Sequence, residues 1–182
     1  MKENKLINLL KSKNKEAFEY LYRETSPLVY GILKNYIHTP EIEDAMQEVY
    51  VRVFKYIDTF KNESKLMTWM YRIAVNVGKD FIKKNKNNFI NFDDAEKKYF
   101  NFIQSDENVS ENAINQITNE KIDQIMKSME DDERLIIKLR DIEGMSYSDI
   151  ASVMDIPEGT VKSKLHYSRK KLQKLIENEN IF

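Results

Sequence analysis

The side chains with chemistry to offer are six cations on one short stretch. Lys162, Lys164, Arg169, Lys170, Lys171 and Lys174 stand between Gly159 and Leu175, with no acid among them. The whole chain carries a formal charge of −1, so this charge is local. Clustered lysine and arginine neutralise phosphates, and a basic helix behind a short apolar helix is the layout of a helix-turn-helix. Base edges are read from the N-terminal part of such a helix, which selects Lys162, Ser163, His166 and Tyr167. Thr160, Lys164, Arg169, Lys170 and Lys171 are better placed for phosphates.

A second basic stripe lies upstream. Arg72, Asn76, Lys79, Lys83 and Lys86 recur at steps of four and three, with Trp69 and Tyr71 beside the start and Asp80 alongside. Cations interleaved with aromatics suit single-stranded or partly opened nucleic acid, where bases stack and phosphates need counter-charge. A third cluster is acidic: Asp44, Gln47 and Glu48 share the outer face of a helix. Two carboxylates and an amide suggest acid/base work, a metal, a solvated face or a docking surface. No Glu-x-x-His pair occurs and cysteine is absent, which leaves a bundle metal site poorly supported and excludes disulfides.

The elements that must hold these residues read as helices. Four Gly and three Pro in 182 residues, with abundant Leu, Ile, Lys and Glu, favour helix over sheet. Leu6, Leu9, Leu10, Phe18, Leu21 and Tyr22 predict one helix. Leu28, Ile32, Leu33 and Ile37 predict a second, starting at Ser26–Pro27. A third spans about Glu41 to Tyr56, with Ile42, Ala45, Met46, Val49 and Val53 inward. A fourth spans about Leu66 to Lys84, with Leu66, Met70, Ile73, Val77 and Phe81 inward. Residues 85–112 lose periodicity. Helical spacing resumes from Ile114, and Leu135, Ile136, Leu139 and Ile142 form a stripe that Gly144 ends.

Ser146 then offers an N-cap, Ile150 and Val153 an apolar face, and Asp155 a turn. Pro157 precedes the basic helix, whose buried stripe is Val161, Leu165, Ser168, Leu172 and Leu175. The expected fold is all-α: two small helical domains, 1–86 and 119–182, joined by a flexible acidic linker over 87–118. Net charges of +5 over 1–86 and +4 over 159–182 flank the acidic middle. No apolar run approaches the roughly 18 residues of a membrane span. The start, MKENKLINLLKSKNKEAF, lacks a signal-peptide layout, so the expected compartment is the cytoplasm.

Three motifs in order resemble the extracytoplasmic-function class of bacterial RNA polymerase sigma factors, within the sigma-70 family. EDAMQEVYVRVF (43–54) is similar to its core-polymerase-binding helix, TWMYRIAVNVGKDFIKK (68–84) to its promoter-opening helix, and GMSYSDIASVMDIPEGTVKSKLHYSRKKL (144–172) to its minus-35 reader. The resemblance implies a non-enzymatic initiation factor without cofactor or small-molecule substrate. Its partners would be core polymerase, promoter DNA and, commonly, an anti-sigma protein. It implies that Asp44, Gln47 and Glu48 bind the polymerase. It also implies that Tyr56, Phe60 and Asn76, with the loop Lys61–Leu66, capture a flipped minus-10 base beside Arg72, Lys79 and Lys83. Met46 and Asp155 depart from the usual residues. His166 and Tyr167 occupy variable positions, so no promoter sequence carries over.

Overall fold

The computed structural model describes residues 2–37, 40–85, 122 and 124–178. The predicted linker 87–118 lies outside them, as do Lys86, Ile114 and Ile117. The described residues contain helices and no strand. They fall in two compact units, one holding the residues up to 85 with 148–156, the other holding 122–147 with 157–178.

The first unit is built on α1 (Glu3–Lys11), α2 (Lys15–Lys34), α3 (Ile42–Tyr56) and α4 (Leu66–Asn85), with a 3-10 turn at Ile57–Thr59. Helices α2, α3 and α4 pack on one another, and α1 lies on α2 and the 3-10 turn. Leu10, Leu21, Ile32, Leu33, Val49, Val53, Leu66 and Met70 fill the centre.

The first chain break falls earlier than Ser26–Pro27. It sits at Lys13, whose φ is +59°, and Asn14 then caps α2 by accepting the Ala17 N–H at 2.9 Å. Pro27 lies inside α2. An interior proline forfeits one backbone hydrogen bond and costs about 3 kcal/mol. Here the buried face runs through it in steps of four and three, Leu21, Thr25, Val29 and Ile32, so packing of one continuous helix outweighs the local defect.

The boundaries of α3 and α4 follow the predicted ones, and the five inward residues of α3 are all buried. In α4 the buried line is Leu66, Met70, Ala74 and Val77, while Ile73 and Phe81 are only half-buried. Gly78 completes this face. A Cβ there would stand 2.6 Å from Cδ2 of Tyr36, so only glycine permits this approach of α4 to the end of α2.

The second unit has helical residues at 124–127, then α5 (Asp131–Ile137), a π-helical turn (Lys138–Ile142) and α7 (Glu158–Asn178), with α5 packed on α7. Met126, Met129, Leu135, Ile136, Leu139, Val161 and Leu165 are buried. The π turn overturns one core assignment. Its wider winding rotates the last residue outward, and Ile142 is 70% exposed. Gly144 follows at φ +64°, as a C-terminal cap requires. Between α5 and α7 the chain forms α6 (Tyr147–Met154), with Ile150, Val153 and Met154 buried. Asp155 takes the left-handed conformation, φ +56°, before Pro157.

Candidate nucleic-acid and partner interfaces

The sequence of α7 alternates Val161, Leu165 and Ser168 inward with Lys162, Ser163, His166, Tyr167 and Lys170 outward, and all eight take those positions. His166 and Tyr167 meet edge to face at 5.4 Å, and Tyr167 is 67% exposed. The Ser163 hydroxyl donates to the carbonyls of Thr160 at 3.1 Å and Gly159 at 3.3 Å. Leu172 and Leu175, read as part of the buried stripe, are half-buried.

Three of the cations already face acids. Lys162 pairs with Glu158 at 3.2 Å. Arg169 forks onto both carboxylate oxygens of Asp141, through Nε at 3.0 Å and through Nη2. Lys171 reaches Glu133 at 2.6 Å. Burial pushes the Glu133 carboxyl up, but the Lys171 ammonium and the Glu130 N–H outweigh it and hold the group below its ordinary range. Thr160 and Lys164 are half-exposed, while Lys170 and Lys174 are exposed. Tyr147 is sandwiched by charge, with Arg140 at 4.8 Å and Lys162 at 5.9 Å from its ring centre.

In the first unit, the loop after the 3-10 turn and the first two turns of α4 enclose a concave surface. Thr59, Phe60, Lys61, Ser64, Trp69 and Arg72 are among the residues lining it. Phe60 is buried, with its ring 5.3 Å from that of Trp69, so it forms a wall rather than a projecting platform. Of the residues named for the minus-10 element, the surface brings together Phe60, Arg72 and, from the loop Lys61–Leu66, Lys61, Glu63 and Ser64. Tyr56 and Asn76 are exposed but are not among its lining residues. Lys83 is exposed and Lys79 half-buried. Thr59 escaped sequence reasoning because an isolated hydroxyl carries no periodic signal.

Asp80, the acid beside this basic stripe, is turned away. Its carboxylate accepts from Arg52 at 3.2 Å, and the same guanidinium binds Glu48 at 2.7 Å. Both bonds raise the Arg52 pKa further, the one to Glu48 most. Glu48 is therefore half-buried and tied, whereas Asp44 and Gln47 are exposed.

The outer face of α3 continues as an apolar strip. From Asp44 and Gln47, steps of four and three lead to Val51 and Phe54, which are 58% and 48% exposed. Tyr22 of α2 is 50% exposed and lies against Tyr50 at 4.8 Å. Phe18 backs Phe54 at 4.9 Å. Burial pushes the Tyr50 hydroxyl up to about 12, against the opposing bond with Thr25 at 2.9 Å. The spacing 44, 47, 51, 54 is present in the sequence, but an apolar residue at such a position carries no sign of being exposed.

Among the described residues, no three His, Asp or Glu side chains are grouped to hold a metal, and no helix is long and apolar enough to cross a membrane.

Comparison with known proteins matches two family models to this chain. "Sigma-70 region 2" matches residues 21–88, and "Sigma-70, region 4" matches 119–172. An ECF RNA polymerase sigma-E factor of Haemophilus influenzae is 32% identical over 177 residues, 94% of each chain. That of Escherichia coli K12 is 28% identical over 178 residues, 94% of this chain and 93% of the relative. Among solved structures, CnrH in complex with the cytosolic domain of CnrY shares the fold with a TM-score of 0.70. It covers 97% of both chains at 18% identity. The sigma factor RpoE from Bartonella quintana, bound to the anti-sigma factor NepR, gives 0.65 over 88% of this chain and 96% of that chain at 20% identity. With both region models matched in order and a relative at 32% identity aligned along nearly its whole length, the chain belongs to the extracytoplasmic-function (ECF) family of sigma-70 factors.

Proposed function

We propose that this chain directs promoter-specific initiation by docking on core RNA polymerase through α3 and reading a minus-35 duplex through α7. The minus-10 element is opened by α4 with the loop before it. The observation that carries the reading is that one chain holds a basic helix-turn-helix and, separately, a partner-facing strip on α3. An operator-binding regulator needs the first and not the second. The phosphodiester chemistry belongs to the polymerase, and the factor works in the cytoplasm beside it.

The roles follow from the exposed chemistry. Asp44, Gln47 and Glu48 give the docking strip its polar end, and Val51 and Phe54 its apolar end. Lys162, Ser163, His166 and Tyr167 address base edges, while Thr160, Lys164 and Lys170 address phosphates, with Arg169 and Lys171 held beside them by Asp141 and Glu133. Arg72, Lys79 and Lys83 track the single strand, and the surface walled by Phe60 and Trp69 receives a base, with Tyr56 and Asn76 beside it. Extruding that base costs a few kcal/mol of unstacking, which binding must offset. Two promoter contacts on one polymerase-held chain raise each other's effective concentration. An anti-sigma protein that covers these faces is the regulator this reading expects.

The test is transcription in vitro with purified bacterial core polymerase and a promoter library. Specific start sites that depend on this chain are expected; absence of both core binding and specific initiation removes the reading. Salt titration separates the cations of α7. Lys170→Ala should reduce the slope of log affinity against log salt by about 0.9, the loss of one phosphate contact. Arg169→Ala should leave the slope near wild type, because Asp141 already holds that guanidinium. Equal slopes for the two variants would contradict the division.

A further inference from the structure

Helix α1 lies ahead of the region 2 match, which begins at residue 21. Its inner face, Leu6, Ile7 and Leu10, is buried. Its polar side chains reach far along the chain. At its start, Glu3 accepts the N–H of Leu66 at 2.6 Å and so serves as a remote cap for α4. At its end, the Lys11 ammonium donates to the carbonyl of Phe60 at 2.9 Å. Lys13, just beyond, donates to the carbonyl of Phe54 at 2.6 Å, pairs with Asp58 at 3.1 Å and sits 4.6 Å from the centre of the Phe54 ring.

Phe60 and Leu66 bound the loop 61–65, which contributes Lys61 and Ser64 to the concave surface. A helix N-terminus leaves backbone N–H groups without helical partners, and the 3-10 turn leaves carbonyls likewise. Here one group of each set is satisfied by a charged side chain of α1, and bonds to charged groups are the strong ones. The two anchors, Glu3 and Lys11, are about two turns apart on α1, so a rigid rod fixes the distance between the loop's ends.

We propose that α1 is a positioning brace for base selection: Glu3 and Lys11 set the span of loop 61–65 and thereby the shape of the surface that receives the minus-10 base. The proposal rests on reading that surface as the base site. Neither residue touches DNA in this arrangement. Each acts through the backbone it holds.

The experiment uses holoenzyme formed from the full chain and core polymerase, with a single-stranded DNA pool randomised over ten positions. Bound strands are sequenced, and affinity for core is measured in parallel. Wild type should enrich one base strongly at some position. Lys11→Met and Glu3→Ala should each reduce that enrichment about threefold to tenfold, the scale of one lost charged hydrogen bond, while core affinity stays within about twofold. Lys11→Arg and Glu3→Gln, which keep a donor and an acceptor, should restore it. Ala17→Gly, a buried position in α2, supplies a variant that loses stability alone and should leave enrichment unchanged. Wild-type enrichment in Lys11→Met and Glu3→Ala overturns the brace, as does an equal loss in Ala17→Gly. A wild-type holoenzyme that enriches no base removes the base-site reading itself, and the brace with it.

Discussion

Val51→Asp should lower the affinity of the chain for core polymerase by about thirtyfold or more, while leaving its thermal unfolding almost unchanged. Val51 is 58% exposed in the free chain, so a carboxylate there meets water and surface substitutions of this kind usually cost under about 0.5 kcal/mol. In a complex that covers the strip, the same carboxylate loses its water without gaining a partner. Central anchors of interfaces commonly contribute about 2 kcal/mol or more, and an unpaired buried charge adds to the loss. Phe54→Ala should act in the same direction, with some loss of stability because its ring packs on Phe18 and on the Lys13 ammonium. Gln47→Ala, at the polar end, should cost less. Fluorescence anisotropy of labelled protein against core polymerase reads all three. Undiminished affinity in Val51→Asp would take the docking role away from α3.

The second large effect concerns two glycines that look alike in sequence. Gly31 and Gly78 both lie inside helices, where alanine is intrinsically better by about 1 kcal/mol. A Cβ on Gly31 meets nothing within 4 Å, so Gly31→Ala should stabilise the first unit by about 0.5–1 kcal/mol. A Cβ on Gly78 would stand 2.6, 3.0 and 3.1 Å from Cδ2, Cγ and Cβ of Tyr36. Those atoms lie near the stem of a buried ring, so relief requires moving α2 and α4 apart. Overpacking of this kind costs about 1–3 kcal/mol, which outweighs the helix preference. Gly78→Ala should therefore destabilise by roughly 1–2 kcal/mol and Gly78→Leu by more. For a unit of this size each kcal/mol shifts Tm by about 4–8 °C. Thermal scans of the full chain should show opposite signs for Gly31→Ala and Gly78→Ala. The same sign for both would mean that the contact with Tyr36 is loose.

These contrasts mark what sequence reading can reach. Helical spacing reports which face of one helix is apolar, and that sufficed for α3 and for the outward face of α7. It reports nothing about which helix lies opposite, so Gly31 and Gly78 look alike and the exposure of Tyr22 goes unread. Local rules also mislead when packing overrides them: Pro27 reads as a helix start, yet the buried line through Leu21, Thr25 and Val29 carries α2 past it. A π turn shifts the period itself, and Ile142 falls out of register for that reason. Pairing partners are invisible in a related way: the acids that meet Lys162, Arg169 and Lys171, namely Glu158, Asp141 and Glu133, lie upstream of the basic stretch, two of them far upstream. The bonds from Glu3 and Lys11 span 63 and 49 residues and leave no trace in any window of sequence.

The internal pairing of α7 bears on how such a protein finds its target. Half of its cations, Lys162, Arg169 and Lys171, are engaged by acids of the same chain, and the chain as a whole is nearly neutral. Non-specific attraction to duplex DNA scales with the phosphates a protein can neutralise, and a chromosome offers millions of competing sites. With half of its recognition-helix cations already met by its own acids, the free chain holds bulk DNA less tightly than its six cations alone would imply.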